Sequence, residues 1–155
     1  MVILSIDPSI VKLWVSVFDN SKLVFFWTFK TKTEGETRLL EIANFIEWIF
    51  TQYSPDYLII ESQYFGRFIS STTFRISEVK GLVMWLFLKY SKNWIIQEVT
   101  PSQYRKVIWI KAKKREEIKK ESIKYISDVL KIEKKVDDNT ADAILMWIYW
   151  TKVLK

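Results

Sequence analysis

A chain of 155 residues is long enough for one domain with a sizeable core, and a single domain over residues 1–155 is the expectation. With no Cys and no His there is no disulfide framework, no thiolate metal site and no imidazole base, so any metal must be held by oxygen. The net charge of +6 is local, because residues 105 to 135 carry twelve Lys or Arg against five acids. Such a patch is the footprint of a polyanion-binding surface, nucleic acid foremost. Glu116, Glu117 and Glu121 beside Lys119, Lys120 and Lys124 fit a solvated helix equally well. Eight Trp, seven Tyr and ten Phe exceed what one small core must bury, which points to aromatics at an interface and to an oligomer. No apolar run approaches the ~20 residues of a membrane span, and the N-terminus lacks a secretory pattern. A soluble, cytoplasmic protein is expected.

In chain order, Val2 to Asp7 reads as a strand buried on both faces, stopped by Pro8, which cannot donate to a ladder. Lys12 to Asp19 predicts a second strand, with Leu13, Val15 and Val17 on one face and Trp14, Ser16 and Phe18 on the other. Asp19 to Lys22 is turn chemistry, and Leu23 to Phe29 a third strand. Helical spacing from Leu39 to Phe50 ends near Tyr53, before Ser54-Pro55-Asp56. Tyr57 to Glu61 reads as a central parallel strand, followed by an exposed loop and a helix over Ser70 to Tyr90 with Gly81 at a close-packing point. Trp94 to Val99 gives a fifth strand, and Thr100-Pro101 opens a helix to about Ile110. Lys111 to Lys114 is a basic linker, Arg115 to Leu130 a helix, and Asp137 to Thr140 cap a last helix through Tyr149. The order predicts an α/β fold: a five-stranded mixed sheet, three strands antiparallel and two parallel, flanked by helices.

Carboxylates punctuate this pattern. Asp7 ends the first strand and Glu61 the fourth. Asp7 alone could cap a turn with Ser9, but if the two strands are parallel neighbours both acids emerge at one sheet edge, where open sheets bind ligands. Two carboxylates ~4 Å apart repel by roughly 4 kcal/mol at an effective dielectric near 20, enough to force a proton onto one unless a cation intervenes. Asp142 sits between two alanines on an otherwise apolar helix. Asp138 lies four residues before it and Asn139 three, so either could join the site, while Asp137 and Asp138 also suit helix capping. Oxygen-only ligands select Mg²⁺, or Mn²⁺ in its place, and two such ions would suit phosphodiester hydrolysis. No organic cofactor is implied.

With these residues in hand, the chain resembles the RuvC family of Holliday junction resolvases, within the RNase H-like nuclease superfamily. The likeness covers nearly the whole length: ILSIDPS from Ile3, DYLIIESQYF from Asp56, TTFRISEVKGLVM from Thr72, EVTPSQYRKVI from Glu98 and DDNTADAIL from Asp137. It implies an RNase H-like fold and a homodimer that nicks two opposed strands of a four-way DNA junction during recombination and repair, with Mg²⁺ at each active site. Asp7, Glu61 and Asp142 would be the catalytic acids, joined by Asp138 or Asn139 as a further ligand. Tyr64 and Phe65 fall where the family stacks an aromatic on a junction base, though packing against a second subunit would equally explain them. Arg105 and Arg115 fall near basic residues that contact DNA or assist catalysis, with Lys114 the alternative to Arg115. Arg67, Arg75, Lys80, Lys111 and Lys113 complete the expected DNA contacts.

There are departures from the family pattern. Ser9 stands where the family has Gly, Leu13-Trp14-Val15-Ser16 replaces a Gly-rich strand, Asn139 replaces an acid or His, and Ile69 replaces a polar loop residue. Asp138 is therefore the favoured fourth ligand. Small size and few glycines suit a phage enzyme. The alternatives are a fork, flap or RNA nuclease of the same fold, and a junction binder without catalysis.

Overall fold

The computed structural model describes residues 1–62, 70–107, 114–131 and 138–154. Three strands open the chain as a meander: β1 (Val2–Asp7), β2 (Lys12–Asp19) and β3 (Lys22–Lys30). The β2–β3 hairpin closes through Asn20 and Ser21, both at positive φ (45° and 71°), the handedness that a two-residue turn requires. The Asn20 side chain accepts from the N-terminal amine at 3.0 Å, tying the turn to the start of β1.

The helix α1 (Thr37–Tyr53) follows and stops at Ser54, whose left-handed conformation lets its N–H reach Phe50 O. Asp56 then knits the fourth strand to the first, accepting from Val2 N at 2.8 Å while its own N–H donates to Val2 O. β4 (Tyr57–Glu61) pairs parallel to β1, and after α2 (Ser71–Tyr90), capped by the Ser70 hydroxyl on Thr73 N, β5 (Ile95–Val99) pairs parallel to β4. The sheet order is β3-β2-β1-β4-β5, the mixed α/β architecture the sequence predicts. The chain ends with α3 (Pro101–Val107), α4 (Arg115–Leu130), α5 (Asp138–Tyr149) and a π-helical turn at Trp150–Leu154.

Alternation along the strands divides the interior in two. Leu4, Ile6, Leu13, Val15, Val17, Leu58 and Ile60 meet α1 and α2 through Ile42, Ile46, Ile49, Val79, Val83 and Phe87. Ile3, Phe18 and Ile59 meet the other three helices through Tyr104, Ile126, Ala141, Ile144 and Leu145, with Phe18 stacked on Trp147 at 3.8 Å. The face assignment of β2 is as expected.

Four details differ from the sequence reading. Trp94 is left-handed (φ 51°) and exposed, so β5 begins one residue later. Gly81 is exposed, and a Cβ built on it meets no atom within 4 Å, so it marks no close packing within the chain. The third helix starts at Pro101 and is described to Val107, residues 108–110 lying outside the described residues. Asp138, Asn139 and Thr140 form the first turn of α5 rather than preceding it, and Asp137 lies outside the described residues. Among the described residues, no helix is long and apolar enough to cross a membrane.

Candidate active site

Parallel pairing of β1 with β4 aligns Ile6 with Ile60, so the next residue on each strand, Asp7 and Glu61, stands side by side with the other at the carboxyl edge of the sheet. Ile3 and Ile59 belong to the core under α5, and counting in twos along each strand puts both acids on that same face. With Pro8, Ser62, Thr73, Ile76 and Pro101 they line a cleft of about 330 Å³.

The short helix α3 reaches into this edge because its start is locked. Thr100 and Gln103 form a reciprocal capping box: the Gln103 side chain accepts from Thr100 N at 2.8 Å and the Thr100 hydroxyl accepts from Gln103 N at 3.3 Å. The next two residues each grip a different acid. Tyr104, wholly buried, donates its hydroxyl to Glu61 Oε2 at 2.8 Å, and Arg105 Nη2 donates to Asp142 Oδ2, also at 2.8 Å. The Arg105 guanidinium also lies 5.5 Å from the Tyr104 ring centre.

Asp142 is carried by α5, a helix buried from Thr140 to Tyr149. Two hydroxyls from the meander hold that helix to the sheet. Ser16 Oγ donates to Ala143 O at 3.1 Å, and the Thr28 and Thr140 hydroxyls are 3.2 Å apart.

The electrostatics follow from this crowding. Burial pushes the Glu61 carboxyl up to about 7, with Asp142 adding to the rise and the Tyr104 hydroxyl and Arg105 opposing it. Burial and the two neighbouring carboxylates drive the Tyr104 phenol upward, so it remains a protonated donor. Burial alone would lower Arg105, but Tyr104, Asp142 and Glu61 outweigh it and hold the guanidinium charged.

Among the described residues, no three acids converge closely enough to hold one ion. Asp142 is paired with the Arg105 guanidinium. The donor chemistry nevertheless suits a hard divalent cation, because Asp7 and Glu61 bring carboxylate oxygens to a cleft of about 330 Å³.

Comparison with known proteins fits this geometry. The family model for crossover junction endodeoxyribonuclease RuvC matches residues 3–149. The chain belongs to the RuvC family. Its members are metal-dependent nucleases, and this chain is a Holliday junction resolvase of DNA recombination and repair. Among solved structures, Thermus thermophilus RuvC in complex with a Holliday junction substrate is similar over 98% of this chain and 95% of that one, at 19% identity and a TM-score of 0.76. Fowlpox virus resolvase, solved with substrate Holliday junction DNA, is similar over 100% of both chains at 21% identity and a TM-score of 0.62. The yeast mitochondrial resolvase Ydc2 is similar over 96% of this chain and 78% of its own, at 16% identity and a TM-score of 0.60. Likeness at such identities speaks for the RNase H-like fold. Among curated proteins, no sequence matches.

The remaining residues that the RuvC likeness singles out are unevenly placed. Asp7 and Glu61 stand side by side at the sheet edge, and Asp142 is held by Arg105, the residue after the one that holds Glu61. Asp138 and Asn139 lie one turn before Asp142, but their side chains, like that of Arg115, fall outside what is described. Tyr64, Phe65, Arg67, Lys111 and Lys113 lie outside the described residues. Lys114 is exposed at the start of α4. Arg75 pairs with Glu78 at 3.0 Å and Glu36 at 3.6 Å, and Lys80, largely covered, pairs with Glu98, so phosphate contact by either would have to break an ion pair. Sequence reading missed Tyr104 and Thr73. The signal for Tyr104 was a tyrosine three residues beyond the proline that starts a helix, a position no pattern of charge or periodicity distinguishes.

Proposed function

We propose that this chain cuts four-way DNA junctions as a homodimer, hydrolysing one phosphodiester in each of two opposed strands at Mg²⁺-dependent sites. The observation that carries the reading is the β1–β4 register, which sets two carboxylates from separate strands beside one cleft. Asp7 and Glu61 would hold the ion, with Asp142 joining once released from Arg105, and Asp138 or Asn139 as further candidates on the same helix. Bound Mg²⁺ supplies charge neutralisation at the phosphate and a water of lowered pKa. Arg105, freed from Asp142, would face the phosphate that the acids repel. The exposed Lys114, Lys120 and Lys124 along α4 would track the DNA backbone and make affinity fall with salt.

Support for the dimer comes from α2. Phe74, Gly81, Trp85 and Leu88 fall on one exposed stripe of that helix, apolar surface that a second copy would cover.

The test uses a synthetic four-way junction labelled on one strand. Asp7→Asn should cut at least ~100-fold more slowly in Mg²⁺, since even partners one step removed from a metal cost 10 to 100-fold when lost. Binding in EDTA, read by gel shift, should persist. Undiminished cutting by the Asp7→Asn variant would refute the site. Binding without cutting by the unmodified protein would favour a structural junction binder, and preference for RNA or forks a relative with another substrate.

A further inference from the structure

We propose that Tyr104 is a positioning residue that holds Glu61 in the conformation in which it takes a divalent cation. The inference rests on reading the Asp7–Glu61 cleft as the metal site. It adds a residue that no pattern in the sequence points to.

A buried hydroxyl needs a partner, and the partner given to this one is a carboxylate oxygen in the cleft. Phe or Leu would fill the same space, so burial alone gives no reason for the oxygen. The ring is immobilised by the core under α5, and the capping box with Pro101 fixes the helix that carries it. A glutamate has three free torsions, and freezing them at the moment of metal capture lowers affinity. Here they are fixed beforehand through Oε2, leaving Oε1 for a cation in the cleft.

The neighbouring Arg105 makes the contrast. It holds Asp142 by an ion pair, which neutralises the acid and competes with any incoming cation. A phenol is a neutral donor, so it orients Glu61 without supplying a competing charge. Adjacent residues on one turn of α3 thus treat two acids in opposite ways. One acid is kept ready, and the other is kept compensated until displaced.

The experiment measures Mn²⁺ binding to the DNA-free protein by calorimetry, for the unmodified chain and the variants Tyr104→Phe, Glu61→Gln, Asp7→Asn and the Tyr104→Phe/Glu61→Gln pair. Tyr104→Phe should weaken Mn²⁺ about tenfold. The Mg²⁺ concentration for half-maximal junction cleavage should rise by the same factor, with junction affinity in EDTA unchanged. Added to Glu61→Gln, the Phe substitution should have no further effect, which a merely structural role would not produce. Tyr104→Met, which also lacks the hydroxyl but packs flexibly, should reproduce the shift if Phe disturbs the fold. If Asp7→Asn weakens Mn²⁺ while both Tyr104 variants bind it as tightly as the unmodified chain, the positioning role is wrong and the metal site stands. If Asp7→Asn leaves Mn²⁺ binding intact, the cleft is not the metal site and both readings fall.

Discussion

On the α1–α2 face of the sheet, aliphatic residues from β1, β2 and β4 interlock with Ile42, Ile46, Ile49, Val79 and Val83, all wholly or almost wholly buried. On the α3–α5 face the same strands meet Tyr104, Trp147 and Asp142, and polar atoms are buried among them. Five buried polar side-chain atoms have no hydrogen-bond partner among the described residues: Ser5 Oγ, Trp14 Nε1, Arg105 Nε, Ser122 Oγ and Trp147 Nε1. All five belong to the α3–α5 side. Polar atoms buried on this side need partners, whereas the aliphatic side needs none. One face is an aliphatic foundation, and the other gathers the buried polar and charged groups of the proposed site.

If that division is right, damage to the foundation should lower stability and spare chemistry. Ile46→Ala, at a position with no exposure, should destabilise by about 2 to 5 kcal/mol, read by urea unfolding. Cleavage per folded molecule should stay within a few-fold of the unmodified protein. A variant that keeps its fold yet stops cutting would show that the two faces are not separable.

A change at the acid edge should do the reverse, and its sign depends on pH. Glu61 is raised from 4.5 to about 7 in the folded protein, so the fold binds a proton there more readily than the unfolded chain does. The contribution of Glu61 to stability is therefore most favourable below about pH 4.5 and is lost as pH rises through about 7, by up to ~3 kcal/mol in metal-free buffer. Glu61→Gln cannot titrate, and its side-chain oxygen can still accept from Tyr104. It should be more stable than the unmodified protein at pH 8, indistinguishable at pH 4.5, and inactive at both. Unfolding curves in EDTA at the two pH values check this, and a gap that does not widen with pH would mean that Glu61 carries no burial penalty.

This division also explains what could be read from the sequence. The strands, their succession along the chain and the acid at the end of β1 and β4 were legible because alternation and an abrupt carboxylate before Pro8 or Ser62 are local signals, while the pairing of β1 with β4 stood only as a condition. The length of α4, Arg115–Leu130, was legible for the same reason. What stayed hidden depended on how α3 lies across the sheet edge. Arg105 was picked out by the family likeness as a residue that contacts DNA or assists catalysis, but its partner in the folded chain, Asp142, lies 37 residues away and no local signal names it. Tyr104 read as nothing at all, since its bond to Glu61 spans 43 residues and no periodicity anticipates it. Gly81 suggested close packing because a glycine in a helix needs a reason, yet the surface around it is open within this chain.

The smallest effect separates two hydroxyls that look alike on paper. Ser16, standing where the resembled family has a Gly-rich strand, is wholly buried and donates to the Ala143 carbonyl, one residue from Asp142. That carbonyl lies inside α5 and keeps its helical partner, so Ser16→Ala should cost only about 1 kcal/mol, near 3 °C in melting temperature for a chain of this size. Because the bond reaches backbone rather than a carboxylate, Mn²⁺ affinity should not move. Tyr104→Phe removes a hydroxyl whose acceptor is a carboxylate, so it should move Mn²⁺ affinity as well as the melt. Equal shifts in both quantities for both variants would mean that α5 and Glu61 are positioned by packing as a whole, and that no single hydrogen bond at this edge has a separate task.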